Sequence, residues 1–263
     1  MAAWFAQHAS RWDRLYRRDD TLSRIYQRRL AVAMDWIDAL PLRARARVLD
    51  LGCGAGHASV ALARRGHFVV ASDRVPAMLA LTAGHARAAG VAERVSLVHG
   101  DSHALGLGGG EFDLVVALGV VPWLHSPAAG LREMARVLKP GGFLVASADN
   151  QRRVAHLFDP RLTPALAGAR RRLRRWLGLP AREAGRPPHM HAPSEFLALL
   201  DEAGLALRAH STCGFGPFTL FGYAFAPDWL ARLVDARLQA VADRDERLLR
   251  GRGSHFLTLS SRR

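Results

Sequence analysis

Three glycines at alternate positions follow an apolar run and an aspartate in the stretch RVLDLGCGAGHASVALARRG, residues 47–66. The aspartate is Asp50, and the glycines are Gly52, Gly54 and Gly56. Glycine lacks a Cβ atom, so a turn of this kind lets backbone approach a ligand closely. Because an apolar pattern of helical period follows at once, the turn would also aim helix N–H groups at that ligand. The chemistry indicated is the binding of a cofactor that contains a nucleotide or nucleoside.

The positions of these glycines distinguish two kinds of cofactor. A dinucleotide-binding fingerprint has glycines at the first, third and sixth positions of the turn, but the sixth position here is His57. The acid that ends the second predicted strand, Asp73, lies where a carboxylate can accept hydrogen bonds from both hydroxyls of a ribose. The alternative role for Asp73 is to cap the next helix, and ribose binding is favoured over it. The turn therefore favours a nucleoside-containing cofactor other than a dinucleotide.

Four motifs between residues 48 and 145 resemble, in order, those of class I S-adenosylmethionine-dependent methyltransferases. They are VLDLGCGAG at the turn, SDRVPAML after the second predicted strand, HGD followed by Ser102 after the third, and RVLKPGGFLV before the fifth. A glycine-rich turn alone is a weak signal, whereas four motifs in the family's order make a specific one. The resemblance implies S-adenosylmethionine as the cofactor and methyl transfer as the reaction.

The same resemblance implies a role for each residue of the cofactor site. Asp73 would hold the ribose, while Asp101 and Ser102 would lie at the adenine edge. Asp50 would reach the ammonium of the methionine end through a water or the amides of the turn. Cys53 is interpreted as a small residue of the turn and not as a nucleophile, because no base is evident beside it. The residues assigned to the cofactor are Asp50, Gly52, Cys53, Gly54, Gly56, Asp73, Arg74, Asp101, Ser102 and Leu118.

The elements that position these residues alternate between short apolar runs and helical patterns from about residue 46 onward. Such alternation predicts βαβ units around a buried parallel sheet. We therefore expect a Rossmann-like α/β fold with a seven-stranded, mostly parallel sheet and helices on both faces. Residues 1–42 are expected to form an N-terminal helical cap, and residues 43–263 the methyltransferase domain. Two insertions, at about 150–190 and 214–250, interrupt the alternation and would add to the cap.

Composition excludes several classes of protein. Of the 263 residues 49% are apolar, which is enough for a real core. The two cysteines, Cys53 and Cys213, provide neither a disulfide framework nor a zinc-binding spacing. The N-terminal residues contain no apolar h-region, so we expect no signal peptide and a cytoplasmic location. The net charge of +14 is carried almost wholly by arginine, and a GC-rich genome explains it better than an anionic partner.

The methyl acceptor is constrained by the end of the fourth predicted strand, which reads ALGVVPWLHS. Methyltransferases that act on exocyclic amines of nucleic acids typically carry the motif Asp/Asn-Pro-Pro-aromatic at this place. The present sequence lacks this motif. The stretch resembles small-molecule methyltransferases of biosynthetic pathways, including the ubiquinone type. We expect a small or lipid-like acceptor, methylated at oxygen, and no nucleic acid. The alternatives are an N-methyltransferase of a small amine, an RNA methyltransferase, and a non-catalytic module that binds the cofactor.

A hydroxyl acceptor needs a base or a metal ion to take its proton. The candidate bases are His125, His189 and His191, and each is alternatively an ordinary loop residue. No carboxylate pair lies where a metal site would be expected, so a metal-independent enzyme is predicted. Trp12 and Tyr16 share one helix face and would close over the sulfonium or the acceptor, unless they only pack against the domain. Tyr16 is therefore a fourth candidate for a catalytic role.

Both insertions carry apolar residues that would either contact a ligand or membrane or pack within the protein. The segment 161–177 predicts a helix with Leu166, Ala169, Leu173, Trp176 and Leu177 on one face and arginines on the others. Such a helix is typical of peripheral contact with a membrane, here its inner face, and equally of a cap packed on the domain. The second insertion, CGFGPFTLFGYAFAPDWL, is rich in aromatic residues that would wall an acceptor pocket or, as the favoured alternative, pack in a core.

Overall fold

The computed structural model describes residues 2–160, 163, 166–176, 188–221, 223–244 and 249–263. Its strands are β1 (Arg47–Leu51), β2 (Phe68–Asp73), β3 (Val95–His99), β4 (Phe112–Ala117), β5 (Leu138–Asn150), β6 (Met190–His191), β7 (Leu205–Cys213), β8 (Thr219–Leu220), β9 (Tyr223–Ala224) and β10 (His255–Arg262). The central sheet has the order β3-β2-β1-β4-β5-β10-β7, with β6 paired beside β5. Strands β8 and β9 form a separate hairpin.

The direction of the strands follows from the connections between them. Strands β1 to β5 are parallel because a helix joins most successive pairs, whereas β10 is antiparallel to both β5 and β7. The continuous apolar runs of β1 and β4 are buried on both faces of the sheet, as such runs require. The prediction of a Rossmann-like, mostly parallel sheet is confirmed, with seven strands on the main path and the two-residue β6 as an eighth.

The helices are α1 (Ala2–Gln7), α2 (Ala9–Arg14), α3 (Thr21–Asp38), α4 (His57–Arg64), α5 (Pro76–Ala88), α6 (Pro127–Val137), α7 (Ala155–Phe158), α8 (Ala167–Trp176), α9 (Pro193–Glu202) and α10 (Asp228–Asp243). Helix α3 begins after Asp20, whose carboxylate caps it by accepting a hydrogen bond from the Ser23 amide at 2.9 Å. Two apolar clusters, one built around α3 and α4 and one around α6 and α9, fill the space between helices and sheet.

The N-terminal region has two parts with different surroundings. The second half of α3 packs in the core, where Ala33, Met34 and Ile37 join residues of β1 and β10 in one apolar cluster. Helices α1 and α2 instead contribute aromatic residues to the wall of a cavity at the carboxyl ends of the central strands. Helices α1 and α2 therefore lie where a cap over a ligand would be, whereas α3 packs in the core and also places Tyr26 and Arg29 at the cavity. The division of the chain at residue 42 stays a prediction.

The remaining described elements lie in the two predicted insertions. Helices α7 and α8 belong to the first, although 161–162, 164–165 and 177–187, with Leu177 of the predicted apolar face, lie outside the described residues. The hairpin β8–β9 and α10 belong to the second, and α10 packs against buried Phe215 and Phe218. Within the described ranges, none of the helices combines the length and the apolar character that crossing a bilayer requires.

Candidate functional site

The glycine turn after β1 is built from backbone that only glycine adopts readily. Gly52, Gly54 and Gly56 have φ angles of +62°, +56° and +82°. A Cβ atom on Gly52 would lie 2.5 Å from Val120 Cγ2, and one on Gly56 would lie 2.8 Å from the Thr82 Cα. A Cβ on Gly54 would meet no atom within 4 Å, and Gly54 lines the cavity. Two glycines thus allow close packing of the turn, while the third leaves its face open to a ligand.

Asp73 fixes this turn from the neighbouring strand. Its Oδ2 accepts a hydrogen bond from the Gly54 amide at 3.0 Å, and its Oδ1 accepts one from the Val75 amide at 2.9 Å. An ionised carboxylate offers about four acceptor positions, so both oxygens can accept further donors from a ligand. Burial raises the pKa of Asp73, partly offset by these backbone hydrogen bonds. The residue therefore binds the backbone just before α5 and lines the cavity, and its role in ribose binding stays a prediction.

Asp50 lies beneath the turn and is almost fully buried. The Ser59 hydroxyl donates a hydrogen bond of 2.5 Å to Asp50 Oδ2. Burial raises the pKa of Asp50 to about 7, and the nearby charge of Asp73 adds to the effect. A positive group in the cavity would favour the ionised form, so this carboxyl is suited to receive a ligand cation.

The opposite end of the cavity is formed by the residues that follow β2 and β3. Asp101 accepts hydrogen bonds from the His103 amide at 2.9 Å and from His103 Nδ1 at 2.8 Å. These bonds lower the pKa of Asp101, so its carboxylate is ionised and fixed in orientation. Buried Val75 and Met78 provide apolar surface beside it. Apolar walls with polar groups at one edge suit a flat heterocycle such as adenine.

Aromatic side chains of α1 and α2 cover the cavity, which has a volume of about 200 Å³. The Phe5 ring meets the Trp123 ring edge to face at 4.9 Å, and the Trp12 ring meets the Tyr26 ring at 5.9 Å. Phe5, Trp12 and Trp123 all line the cavity, so its roof is largely apolar. Such a roof keeps water away from whatever reacts beneath it.

A buried polar cluster closes the inner end of the cavity. Arg29 is only 3% exposed and donates a hydrogen bond of 3.1 Å to the Tyr16 hydroxyl. Its guanidinium lies 4.7 Å from the centre of the Tyr26 ring. Burial raises the pKa of Tyr26 to about 12, so that phenol stays protonated. Burial also raises the pKa of Asp149, which lines the same cavity, although Arg153 and Arg29 oppose the shift.

The structure brings most of the predicted site residues together. Those that line the cavity are Tyr16, Asp50, Gly52, Cys53, Gly54, Asp73, Arg74, Asp101, Ser102 and Leu118. Gly56 lies behind them as a packing position of the turn. Burial raises the pKa of the Cys53 thiol, so it is present as an uncharged packing group. The individual roles of these residues stay predictions.

The three candidate histidines lie outside the cavity wall. His125 is exposed and its ring lies 3.6 Å from that of His103. The His189 amide donates to the Pro122 carbonyl at 2.6 Å, and His191 is buried beside Phe196. A role as base for any of them stays a prediction. In this conformation such a role requires the side chain to move into the cavity or the proton to pass through another group.

Sequence reasoning did not single out Tyr26 and Asp149, which the fold brings into the cavity. Asp149 had a usable signal, because it is an acid near the carboxyl end of a parallel strand, at the same edge as Asp73. Tyr26 had none, since its position within α3 fits helical packing equally well.

Comparison with known proteins supports the family that the motifs resemble. Residues 49–146 match the model of a family described as a methyltransferase domain. Residues 49–146 therefore match a methyltransferase domain, they lie on a Rossmann-like fold, and the resemblance predicted from the motifs is confirmed.

Curated relatives are about one-third identical to this chain over the aligned residues. A ubiquinone biosynthesis O-methyltransferase of Pseudomonas aeruginosa (strain LESB58) is 35% identical over 125 residues, which are 48% of this chain and 53% of that protein. One from Ruegeria sp. (strain TM1040) is 31% identical over 159 residues, 60% of each chain. The chain thus spans little more than half the length of these curated relatives.

Solved structures share the fold at lower identity. A putative methyltransferase in complex with the Haloferax volcanii Trm112 activator superimposes with a TM-score of 0.62 and 18% identity, over 98% of this chain and 96% of that one. Geranyl diphosphate C-methyltransferase from Streptomyces coelicolor A3(2) superimposes with a TM-score of 0.58 and 17% identity, over 89% of this chain and 79% of that one.

The crowding at the turn leads to a paired prediction. Gly56→Ala and Gly54→Ala both place alanine at a positive φ, but only the first forces a Cβ against Thr82. We expect Gly56→Ala to lose about 1–3 kcal/mol more free energy of unfolding than Gly54→Ala, the usual cost of overpacking. Urea unfolding of the two variants measures the difference, and equal losses would contradict the geometry described here.

The buried carboxyl of Asp50 predicts a pH effect. The folded state keeps this proton up to about pH 7, while the unfolded chain loses it near pH 4, so the wild type loses stability as pH rises between these values. Asp50→Asn removes this loss, and its stability relative to wild type should increase by about 2–3 kcal/mol from pH 5 to pH 8.

Urea unfolding at both pH values, without ligand, tests this pH effect. The control is Asp38→Asn, at an exposed carboxyl whose pKa a hydrogen bond from Arg65 lowers. Its difference from wild type should not change over this range, because the carboxyl is ionised in both states. A pH-independent difference for Asp50→Asn would refute the assignment.

Proposed function

We propose that the protein is an S-adenosylmethionine-dependent methyltransferase that methylates a small or lipophilic metabolite at oxygen. The observation that carries the proposal is the open face of Gly54 opposite the Asp73 carboxylate, at the end of two neighbouring parallel strands. The match of residues 49–146 to a methyltransferase domain supports the same reaction. The O-methyltransferases among the relatives favour oxygen as the acceptor atom.

The cavity residues fit this cofactor part by part. Asp73 would accept hydrogen bonds from the ribose hydroxyls, and Asp101 with Ser102 would meet the adenine edge. The open face of Gly54 leaves room for the methionine end, whose ammonium the buried Asp50 carboxyl would approach. When bound, the cofactor supplies a methyl group that its sulfonium has already activated.

The remaining task of the protein is to hold the acceptor in line and exclude water. The aromatic roof of Phe5, Trp12 and Trp123 suits an apolar acceptor body. At the inner end, the Arg29 guanidinium would stabilise negative charge that develops on an acceptor oxygen, with the Tyr16 hydroxyl positioned beside it. Asp149, a carboxyl made more basic by burial, is the group lining this end that is able to take the hydroxyl proton.

Three alternatives make distinct predictions. An RNA methyltransferase, which the net charge of +14 would favour, should bind RNA tightly and lose that affinity steeply with salt. A non-catalytic module should bind the cofactor and its demethylated product without methyl transfer to any metabolite. An N-methyltransferase of a small amine would need no base, so loss of Asp149 would leave its rate unchanged.

Helix α8 supports a second part of the proposal, peripheral contact with an anionic membrane through residues 161–177. Its described apolar residues are exposed, Trp176 to 81%, which disfavours the alternative of an apolar face packed on the domain. Arg171, Arg172 and Arg175 are exposed beside them, so the helix matches an anionic lipid surface in charge. A cytoplasmic protein that touches the inner face of the membrane would reach a lipid-carried acceptor there.

The hairpin β8–β9 carries a second group of exposed apolar side chains. Phe221, Tyr223 and Phe225 are exposed on it, and the Thr219 hydroxyl ties it to Asp159 at 2.9 Å. Arg170 of α8 donates to the carbonyl of Pro160 in the same loop at 2.5 Å. These hydrogen bonds hold the helix and the hairpin near one loop, so both would meet a membrane together.

The role of Asp73 predicts the effect of one substitution. Asp73→Asn should weaken binding of S-adenosylmethionine and of its demethylated product about 10- to 100-fold, because each hydrogen bond to a charged group contributes about 1.5–3 kcal/mol. Isothermal titration calorimetry measures both affinities. The control, Asp113→Asn, alters a carboxylate that also accepts a backbone N–H, from Arg47, outside the cavity. Equal affinities for the Asp73 variant and the wild type would refute the assignment.

The membrane proposal predicts selective loss of vesicle binding. Neutralising Arg171, Arg172 and Arg175 with glutamine should release the protein from anionic vesicles in co-sedimentation, since each basic residue near such a surface contributes about 1 kcal/mol. The control variant replaces three other exposed arginines with glutamine and so loses the same charge: Arg64, Arg87 and Arg132. If both variants sediment alike, the contact is not made through α8.

A further inference from the structure

Three side chains that bind metal ions well converge beside the glycine turn, from three different helices. Asp13 lies on α2, His57 begins α4, and His85 lies near the end of α5. Asp13 Oδ1 is 3.1 Å from His57 Nε2 and 3.4 Å from His85 Nε2. The three donor atoms all lie within 4.8 Å of one another, and the residues are half-buried. No local sequence pattern indicates this cluster, because its members are far apart along the chain.

These separations suit a tetrahedral metal ion. Bonds of about 2.0–2.1 Å from zinc to nitrogen and oxygen place neighbouring tetrahedral donors about 3.3 Å apart. The two distances from Asp13 already have this value within a few tenths of an ångström. Two histidines and one carboxylate also form a donor set that zinc sites use, with a fourth position left for water or a ligand.

The second ring nitrogen of His85 is held as metal-bound histidines usually are. His85 Nδ1 lies 2.7 Å from the Ala55 carbonyl oxygen, which can only accept a hydrogen bond. Nδ1 therefore carries the proton, and Nε2 has its lone pair available towards Asp13. The His57 ring is stacked on Tyr16 at 4.4 Å, which restricts its rotation.

A cation already competes for these donors. Arg17 Nη2 is 2.7 Å from His85 Nε2 and 3.4 Å from Asp13 Oδ2. The Arg17 side chain is 59% exposed, so it can turn into solvent when a metal ion arrives. Its position shows that the cluster attracts positive charge, and it sets a clear test, because removing it should strengthen metal binding.

We propose that Asp13, His57 and His85 bind one divalent transition-metal ion of the zinc type, which fastens α2 to the glycine turn. Helix α2 carries Trp12, and the adjoining Tyr16 also lines the cavity. The metal ion would therefore hold the aromatic roof closed and govern entry to the cavity. This metal site is compatible with the prediction that methyl transfer needs no metal ion, because the ion would stabilise the roof and take no part in the reaction. It stands whether or not the proposed function is correct.

The first test measures binding of Zn²⁺ to the metal-free protein by calorimetry. We expect one tight site per chain, weakened by more than about tenfold in His57→Gln and in His85→Gln. The control His67→Gln removes a half-buried histidine outside the cluster and should bind as wild type does. Arg17→Gln keeps all three donors and should bind Zn²⁺ more tightly. The proposal is overturned if the His57 and His85 variants bind as wild type does, or if Arg17→Gln does not tighten binding.

The second test follows the roof itself. Trypsin cleaves after Arg11 and Arg14, both exposed on α2. Zn²⁺ should slow this cleavage several-fold in the wild type and leave it unchanged in His85→Gln. Protection that is equal in both proteins, or absent from the wild type, would mean that the ion does not fasten α2.

Discussion

The hydrogen bond from the Gly54 amide to the Asp73 carboxylate is the interaction on which the site depends. It joins the turn after β1 to the end of β2, and the Cys53 amide reinforces it by donating to the Ser72 carbonyl at 3.0 Å. Because β1 and β2 are parallel neighbours, their carboxyl ends reach the same edge of the sheet, where the left-handed backbone of the turn can be held open. The floor of the cavity therefore follows from strand order and three glycines.

The rest of the cavity is formed by helices whose positions do not follow from the glycine turn and the strand order. Helices α1 and α2 supply the aromatic roof, and α3 passes beneath them, placing Arg29 and Tyr26 at the inner end. A charged group as buried as Arg29 is costly unless it is paired, and here Tyr16, Tyr26 and Asp149 surround it. One end of the cavity is thus suited to a nucleoside, and the other to an apolar molecule with a polar group that can carry negative charge.

Sequence patterns predicted the fold well because the signals are local. The run before Gly52 and the acid at Asp73 indicated two strands of one mostly parallel sheet, and the cavity contains nearly all the residues assigned to the cofactor. The acceptor side was harder, because no local pattern distinguishes Tyr26 on α3 from a packing residue. The pairing of His57 and His85 with Asp13 is a product of tertiary structure alone. The candidate histidines followed sequence position near the fourth strand and α9, which does not determine which side chains reach the cavity.

A crystal structure with S-adenosylhomocysteine would show whether the turn and Asp73 bind the cofactor. We expect difference density in the cavity, with the ribose hydroxyls within hydrogen-bond distance of the Asp73 carboxylate and the amino-acid end over Gly54. The adenine should lie between Val75 and Met78, near Asp101. Density that leaves Asp73 and the open face of Gly54 without contact to the ligand, or a ligand bound elsewhere on the protein, would refute this assignment.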